Sequence, residues 1–436
     1  MSRPRVTTGQ AWMHEIPDDW EVVPAKKLFS NRREPNTDTD VHLTPSQMYG
    51  VLPQSEYMAA TGGSVVQNIE GQDSMKHVEP DDFIIHLRSF QGGIERSTYT
   101  GKVSTAYTVL VPGADALPEY FRWVLKSSAY IQELRTTTNQ LRDGQSIKYG
   151  DFSKVALPLP PLDEQRAIAD YLDRETARID KLIEEQQRLI VLACERRSAL
   201  VTAGVTGQID PCGGHHSRRN SIGRVVTGSS KAWLGQLPES WKVTPAKAAF
   251  GERREPCSEG DVHLTPSQLH GVLPQTEYMK VTGNHVVLNL EGQENMKHVE
   301  PDDFIIHLRS FQGGLERSTI SGKVSTAYVV LRPGPKVVAD FFKWLLKSDG
   351  YIQELRTTTN QLRDGQSIRY RDFAKVPLPL PPLEEQRVIA EHLDEQTAKI
   401  DALIAATETF IELSRERRAA LITAAVTGQI DVREVA

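Results

Sequence analysis

Cysteine is scarce in this 436-residue chain: Cys194, Cys212 and Cys257 are the only three, and no two form a CxxC pair. Three unpaired thiols give no disulfide framework, so a reducing compartment is the expectation. No apolar run is long enough to span a bilayer, and the opening MSRPRVTTGQAWMHEIPDDW lacks the apolar core of a signal peptide. A cytoplasmic protein with no membrane partner is therefore expected. Positive charge is also short, with 51 Lys and Arg against 57 Asp and Glu and a formal net charge of −6. That balance argues against a free-standing nucleic-acid binder, since neutralising phosphates needs surplus Lys and Arg, although local patches or a basic partner would answer the objection.

Catalytic signatures are missing too. YTGKVST contains a Gly-Lys pair, but Gly93 to Gly101 is the wrong interval for a phosphate loop and Val103 stands where a hydroxyl is needed. Asp81 or Asp82 with Glu95 could suggest a magnesium-dependent nuclease. The acid-x-Lys element is absent, and the two aspartates read as a turn before the strand FIIHLRSF. His215 and His216 have no further ligands at zinc spacing. No methyltransferase motif, helicase set or Gly-rich dinucleotide loop occurs, and the chain reads as non-catalytic, without a metal site.

What is present is a second copy of the first half. Trp12 matches Trp233, Phe83 matches Phe304, Gln165 matches Gln386 and Asp210 matches Asp431, each pair 221 apart. A constant offset means a duplicated domain rather than a solenoid. The blocks MKHVEPDDFIIHLRSFQGG and YIQELRTTTNQLRDGQSI occur unchanged in both copies. None of the cysteines recurs, so no duplicated thiol site exists, whereas His42, His77 and His86 return as His263, His298 and His307. With no nucleophile beside them, these histidines read as packing or polar contacts.

Each copy has two unlike parts. The first mixes β-type runs such as DFIIHLRSF and VSTAYTVLVP with one helical segment, LPEYFRWVLKSSAYIQELR, and predicts a compact α+β domain. Trp20 and Trp123 sit in apolar surroundings and read as core. The second part begins at LPLPPLDEQRAIADYLD, repeated as LPLPPLEEQRVIAEHLD. Pro158, Pro160 and Pro161 hold the chain extended and deny a helix before Leu162, while Asp163 and Glu164 favour a helix start. Apolar residues then recur at Ile168, Leu172, Ile179, Leu182, Leu189, Ala193 and Leu200, and at Ile389, Leu393, Ile400, Leu403, Phe410 and Leu421 in the second copy. Gly204 and Gly207, then Gly428, read as C-caps. A helix of roughly 40 residues rises about 60 Å, and its apolar stripe needs a partner, for which the other copy is nearest. The Gly-, Ser- and Arg-rich stretch DPCGGHHSRRNSIGRVVTGSS reads as a linker.

These motifs resemble the specificity (S) subunits of type I restriction-modification systems. The order IPDDWEVVPAKKLF, GGIERSTYTGKVSTAYTVLVP, QSIKYGDFSKVALPLPPLDEQRAIADYLD and a long helix, then all of it again, carries the resemblance over nearly the whole chain. It implies target-recognition domains at 1–156 and 231–377, conserved helical spacers at 157–208 and 378–430, and a linker at 209–230. The fold class is then α+β: two duplicated α/β recognition domains separated by two long antiparallel helices in a coiled coil, with pseudo-two-fold symmetry. The resemblance also implies double-stranded DNA and two methyltransferase subunits as partners, with restriction or translocase subunits left open. No cofactor is expected on this chain; S-adenosylmethionine, and ATP and Mg, would sit on partner subunits. Family members usually carry two unlike recognition domains, whereas here the two are close copies, so an interrupted palindrome is expected. A non-catalytic coiled-coil scaffold, or another two-half-site DNA-binding protein, is the alternative.

Candidate DNA contacts fall in three segments of each copy. HLRSFQGGIERST offers Arg88, Gln91 and Arg96, repeated as Arg309, Gln312 and Arg317. RTTTNQLRDGQSIKY offers Asn139, Gln140, Arg142 and Lys148, repeated as Asn360, Gln361, Arg363 and Arg369. NRREPNTDTDVHLTPSQMYG offers Arg32, Arg33, Thr44, Ser46 and Gln47, repeated as Arg253, Arg254, Thr265, Ser267 and Gln268. The competing readings are a β-turn packed on its own sheet, a solvated connecting loop, and salt bridging of the arginines to the adjacent Glu34 and Glu255.

Overall fold

The structure is a computed structural model that describes residues 3–62, 75–86, 93–137, 147–209, 226–228, 233–283, 295–307, 314–358 and 368–434. It divides into two compact units, one of residues 1–187 with 409–436 and one of residues 188–408.

In the first unit a four-stranded antiparallel sheet runs in the spatial order Phe29–Asn31, Thr108–Pro112, Phe83–Ile85, Ile94–Arg96. Its register places Leu110 opposite Phe83 and Asn31, and Ile84 opposite Val109 and Glu95. Successive side chains on a strand leave on opposite faces, and here both faces are buried. Phe83, Ile85, Ile94 and Leu110 enter the large core, while Ile84 and Val109 enter a small one with Leu43, Val51, Val78 and Val103. This is why FII is an unbroken apolar run rather than an alternating one. Phe29 lies at the centre of the large core, edge-on to Phe83, Phe121 and Phe152 with centroids 5.3–5.7 Å apart. The second unit repeats the design with Phe250 among Phe304, Phe342 and Phe373, and with Ile305 and Val330 in its own small core.

The small core carries a β-hairpin, Leu43–Ser46 with Gly50–Pro53, followed by the helix Gln54–Thr61. Gly101 approaches this hairpin so closely that a Cβ there would lie 2.8 Å from the Leu43 side chain, and closer still to the Val41 carbonyl. The expected single helix over LPEYFRWVLKSSAYIQELR is two helices, Pro118–Val124 and Ser128–Thr136. Ser127 lies at the break in extended backbone, and its hydroxyl accepts from Tyr130 N at 3.3 Å at the new start.

Ala156–Leu159 pairs antiparallel with Glu21–Pro24, and the first long helix follows over Leu162–Val205. The second long helix spans Leu383–Val426, and each has 44 residues. Each unit holds the start of one helix and the end of the other, packed antiparallel. In the first unit Arg418 meets Asp180 at 2.9 Å, and its guanidinium lies 5.8 Å from the Trp123 ring centroid. The equivalent Arg197 meets Asp401 at 2.8 Å in the second, 5.6 Å from the Trp344 ring.

The buried stripe differs from the heptads drawn on sequence. Leu182, Leu189, Leu403 and Phe410 are exposed, and Ile183 and Ile411 are buried instead. The stripe keeps its spacing by passing through buried Thr176, Thr397, Thr407 and Ser414, whose hydroxyls donate to the carbonyl four residues earlier. Apolar residues alone therefore mark the wrong row. Gly204 is likewise not a cap: it lies within the helix, where a Cβ would stand 3.0 Å from Leu393. Gly207 and Gly428 do terminate the helices, at φ 70° and 65°, with Gln208 N and Gln429 N returning to Ala203 O and Ala424 O.

Both helix ends pack on the α+β part of their unit in the same way, Gly207 against Pro238 and Trp241, and Gly428 against Pro17 and Trp20. Arg5 Nη1 also donates to Gly428 O at 2.7 Å. The first unit takes its helix end from the C-terminal part of the chain, the second from the residues just before its own α+β part. The two units are one design in permuted chain order.

Candidate nucleic-acid interface

The proline-clamped motif sets the joint between each α+β part and the long helix that follows it. Gln165, fully buried in the first helical turn, accepts from Leu117 N at 3.0 Å and donates to Asp115 O at 3.0 Å and Pro160 O at 2.9 Å. Gln386 does the same with Val338 N, Lys336 O and Pro381 O at 2.8, 2.9 and 2.9 Å. A side chain with both acceptor and donors is required, which explains glutamine at this place. Beside it Glu164 accepts from Trp20 Nε1 at 3.0 Å and from Arg3 at 2.8 Å. Trp20 is thus core with a polar handle, and Trp123 is part-buried, its Nε1 donating to Asp173 at 2.9 Å.

The arginines nominated as readers divide into two kinds. Arg32 binds Asp82 through two nitrogens, at 2.6 and 3.1 Å, and Glu34 at 2.7 Å, while Arg253 holds Asp303 at 2.6 and 3.2 Å. Arg96 engages Asp81 at 2.8 Å and Glu119 at 2.6 Å, and Arg317 repeats this with Asp302 and Asp340. All four face carboxylates of their own domain. Arg33 and Arg254 are exposed, the latter 2.7 Å from Glu252. Lys148 and Arg369 are exposed ahead of short helices. Thr44, Ser46 and Gln47, with Thr265, Ser267 and Gln268, fall on the hairpin and its tip. Arg88, Gln91, Asn139, Gln140 and Arg142, and their counterparts Arg309, Gln312, Asn360, Gln361 and Arg363, lie outside the described residues.

The carboxylates weighed for a nuclease each face a different cation. Asp82 meets Arg32, Asp81 meets Arg96, and Glu95 meets Lys126 at 2.5 Å. Among the described residues no group of three His, Cys, Asp or Glu is placed to hold a metal ion. His77 lies 2.7 Å from both Asp40 and Glu79, and His298 repeats this with Asp261 and Glu300 at 2.7 and 2.8 Å. Burial would lower the His77 pKa, but the two carboxylates outweigh it and raise it. At His298 the bonds to Glu300 and Asp261 dominate and act in the same direction.

Glu95 and Glu316 are almost wholly buried, and one oxygen of each has no hydrogen-bond partner. Burial pushes both carboxyls up to about 7, against the opposing pull of Lys126 and Lys347. A carboxyl whose pKa is raised on folding contributes stability that is complete below its unfolded value of about 4.3 and lost as pH rises to the folded value. The double variant Glu95→Gln with Glu316→Gln is expected to lack this loss, gaining on the parent by about 3–4 kcal/mol per site between pH 4.5 and 8. Urea denaturation of both proteins across that range measures it, and parallel pH profiles would show that the carboxyls ionise without cost.

Sequence reasoning missed two features here. The Gln165 bracket leaves no signal of its own in a motif dominated by prolines and charges. The side chains at the hairpin tip, Met48 and Tyr49, leave no periodic signal, since each is a single exposed residue; comparison of the two copies marks them.

The chain matches the family model for the type I restriction modification DNA specificity domain over residues 17–190 and 280–412. A Methanocaldococcus jannaschii protein assigned as the specificity subunit of the type I restriction enzyme MjaX is 23% identical, over 96% of this chain and 95% of that protein. The EcoKI specificity subunit of Escherichia coli is 32% identical over 45% of this chain and 44% of its own length. Two solved structures share the fold. One is a chain of a type I R-M system solved to follow complex assembly and conformational transition (TM-score 0.65, 17% identity, 95% of this chain and 99% of that one). The other is the HsdS subunit from Thermoanaerobacter tengcongensis (TM-score 0.53, 18% identity, 95% and 98%). With the duplicated framework, the paired long helices and a family match over most of its length, the chain belongs to the type I restriction modification DNA specificity family.

Proposed function

We propose that each unit reads one half of a bipartite double-stranded DNA site, and that the two halves are inverted copies, or near copies, of one sequence. The observation that carries this is the duplication at the level of side-chain contacts. Arg32 with Asp82, Arg96 with Asp81 and Gln165 with Leu117 all recur 221 residues later with the same geometry. Two readers built on one framework fit two copies of one half-site sequence.

On this reading the chain is a non-catalytic, cytoplasmic subunit. Methyl transfer belongs to two methyltransferase subunits, which would carry S-adenosylmethionine; any restriction subunit would bring ATP and Mg. Exposed Leu182, Leu189 and Leu192 on the first long helix, matched by Leu403, Phe410 and Leu413 on the second, support the long helices as the docking surface. A partner with basic DNA-facing surface would also offset the net charge of −6.

Co-expression with the cognate methyltransferase, read by methylome sequencing, tests the proposal. The expected result is one bipartite modified motif whose halves are related by inversion over most of their bases. Halves that share no inverted sequence would overturn it.

A further inference from the structure

The blocks 40–54 and 261–275 differ at only two positions: Met48 and Tyr49 stand where the second copy has Leu269 and His270. These are the last two residues of the three-residue tip of the hairpin that sits on the small core. Ser46 pairs with Gly50 across the hairpin and Ser267 with Gly271, leaving 47–49 and 268–270 as the tips. Met48 is 81% exposed and Leu269 89%, more than any other large apolar side chain among the described residues. A turn normally prefers Gly, Asn, Asp or Ser, so a large apolar side chain at the same tip in both copies is not what turn formation requires.

The tips are held in shape. Ser46 Oγ accepts from Met48 N at 3.3 Å and from Tyr49 N at 3.4 Å, and Gly50 closes the loop at φ 69°. In the second copy Ser267 Oγ accepts from His270 N at 3.4 Å and Gly271 closes at φ 68°. The Tyr49 ring rests edge-on against Tyr57 with centroids 6.0 Å apart, and His270 rests on Tyr278 at 6.3 Å. Each unit therefore presents a braced apolar side chain beside a polar aromatic one, on a hairpin that the duplication has otherwise kept constant.

We propose that these two hairpin tips enter the DNA groove and read base edges, Met48 and Leu269 by apolar contact and Tyr49 and His270 by hydrogen bonding. The proposal rests on the DNA-reading role argued above. A two-stranded ribbon fits the major groove, which is about 12 Å wide, and apolar side chains recognise the thymine methyl group there. Residues that differ on an otherwise constant hairpin are where two half-sites would acquire different preferences.

The test uses the specificity–methyltransferase complex on a plasmid library with randomised half-sites, comparing M48A, L269A and the tip exchange M48L/Y49H with the parent. M48A should lower discrimination about tenfold at one position of one half-site, and L269A should do so at the matching position of the other half. The exchange should bring the first half-site to the preference of the second. Because these side chains are exposed, thermal stability should not change. Base preferences unchanged in both alanine variants would overturn the inference, as would a rate loss uniform across all sequences, which marks protein docking instead. If the parent complex modifies no sequence-defined site, the DNA-reading role fails and this inference with it; if it does and the tips are silent, the inference alone fails.

Discussion

Replacing Gln165 by alanine is expected to destabilise the first unit by about 3–5 kcal/mol, because one side chain satisfies three backbone groups at a buried joint and each orphaned group costs about 1–3 kcal/mol. The groups left without partners are Leu117 N, Asp115 O and Pro160 O. For a unit of this size the loss corresponds to a drop of roughly 10 °C in its melting temperature. Gln165→Glu should be worse than alanine, since its carboxylate would face two carbonyl oxygens that it cannot donate to. Gln386→Ala should produce the same loss in the second unit through Val338 N, Lys336 O and Pro381 O. Calorimetry gives the size, and amide exchange at Leu117 or Val338 locates it. A change below about 1 kcal/mol would mean that the neighbouring backbone closes the gap itself.

The duplication, the position of the helix start at Leu162 and the α+β character of each copy were legible because each leaves a signal in sequence order: a constant offset, a proline clamp, a change of period. The row of the helix that is buried was not. It runs through Thr176, Thr397, Thr407 and Ser414, whose hydroxyls are satisfied within their own helix, and such residues look like gaps when only apolar letters are followed. The break at Ser127 was hidden in the same way, since a serine capping the second helix looks like any serine within one. For the candidate site, sequence supplied the polar residues but not their partners. Whether Arg32 faces a phosphate or a carboxylate depends on Asp82, 50 residues away, and the partner became visible only once the Phe83–Ile85 strand was placed.

Arg32 and Arg33 are adjacent and chemically identical, yet opposite outcomes are expected from their removal. The Arg32 side chain is 12% exposed and Asp82 only 2%, so Arg32→Ala leaves a buried carboxylate with little beyond the Glu79 backbone N–H at 2.9 Å. Breaking one side of such a pair costs about 3–5 kcal/mol. Burial already pushes the Asp82 carboxyl up against the pull of Arg32. Without the guanidinium it rises further, so the variant should lose most stability at neutral pH and recover part of it on acidification, as the carboxyl takes up a proton. Arg33 is exposed, and Arg33→Ala should leave stability within about 0.5 kcal/mol. If Arg33 contacts phosphate in the assembled complex, its removal should weaken binding to all sequences alike and lower the salt slope by about 1, while Arg32→Ala should leave that slope unchanged wherever the protein is folded. Arg253 and Arg254 form the same pair of cases in the second unit, with Arg253 on Asp303 and Arg254 exposed beside Glu252. Denaturation of the four single variants at pH 5 and pH 7.5, with DNA titrations at two or more salt concentrations, separates framework from contact. A lowered salt slope in Arg32→Ala with unchanged stability would reverse the assignment, making the Asp82 pair a resting position from which Arg32 swings to the backbone.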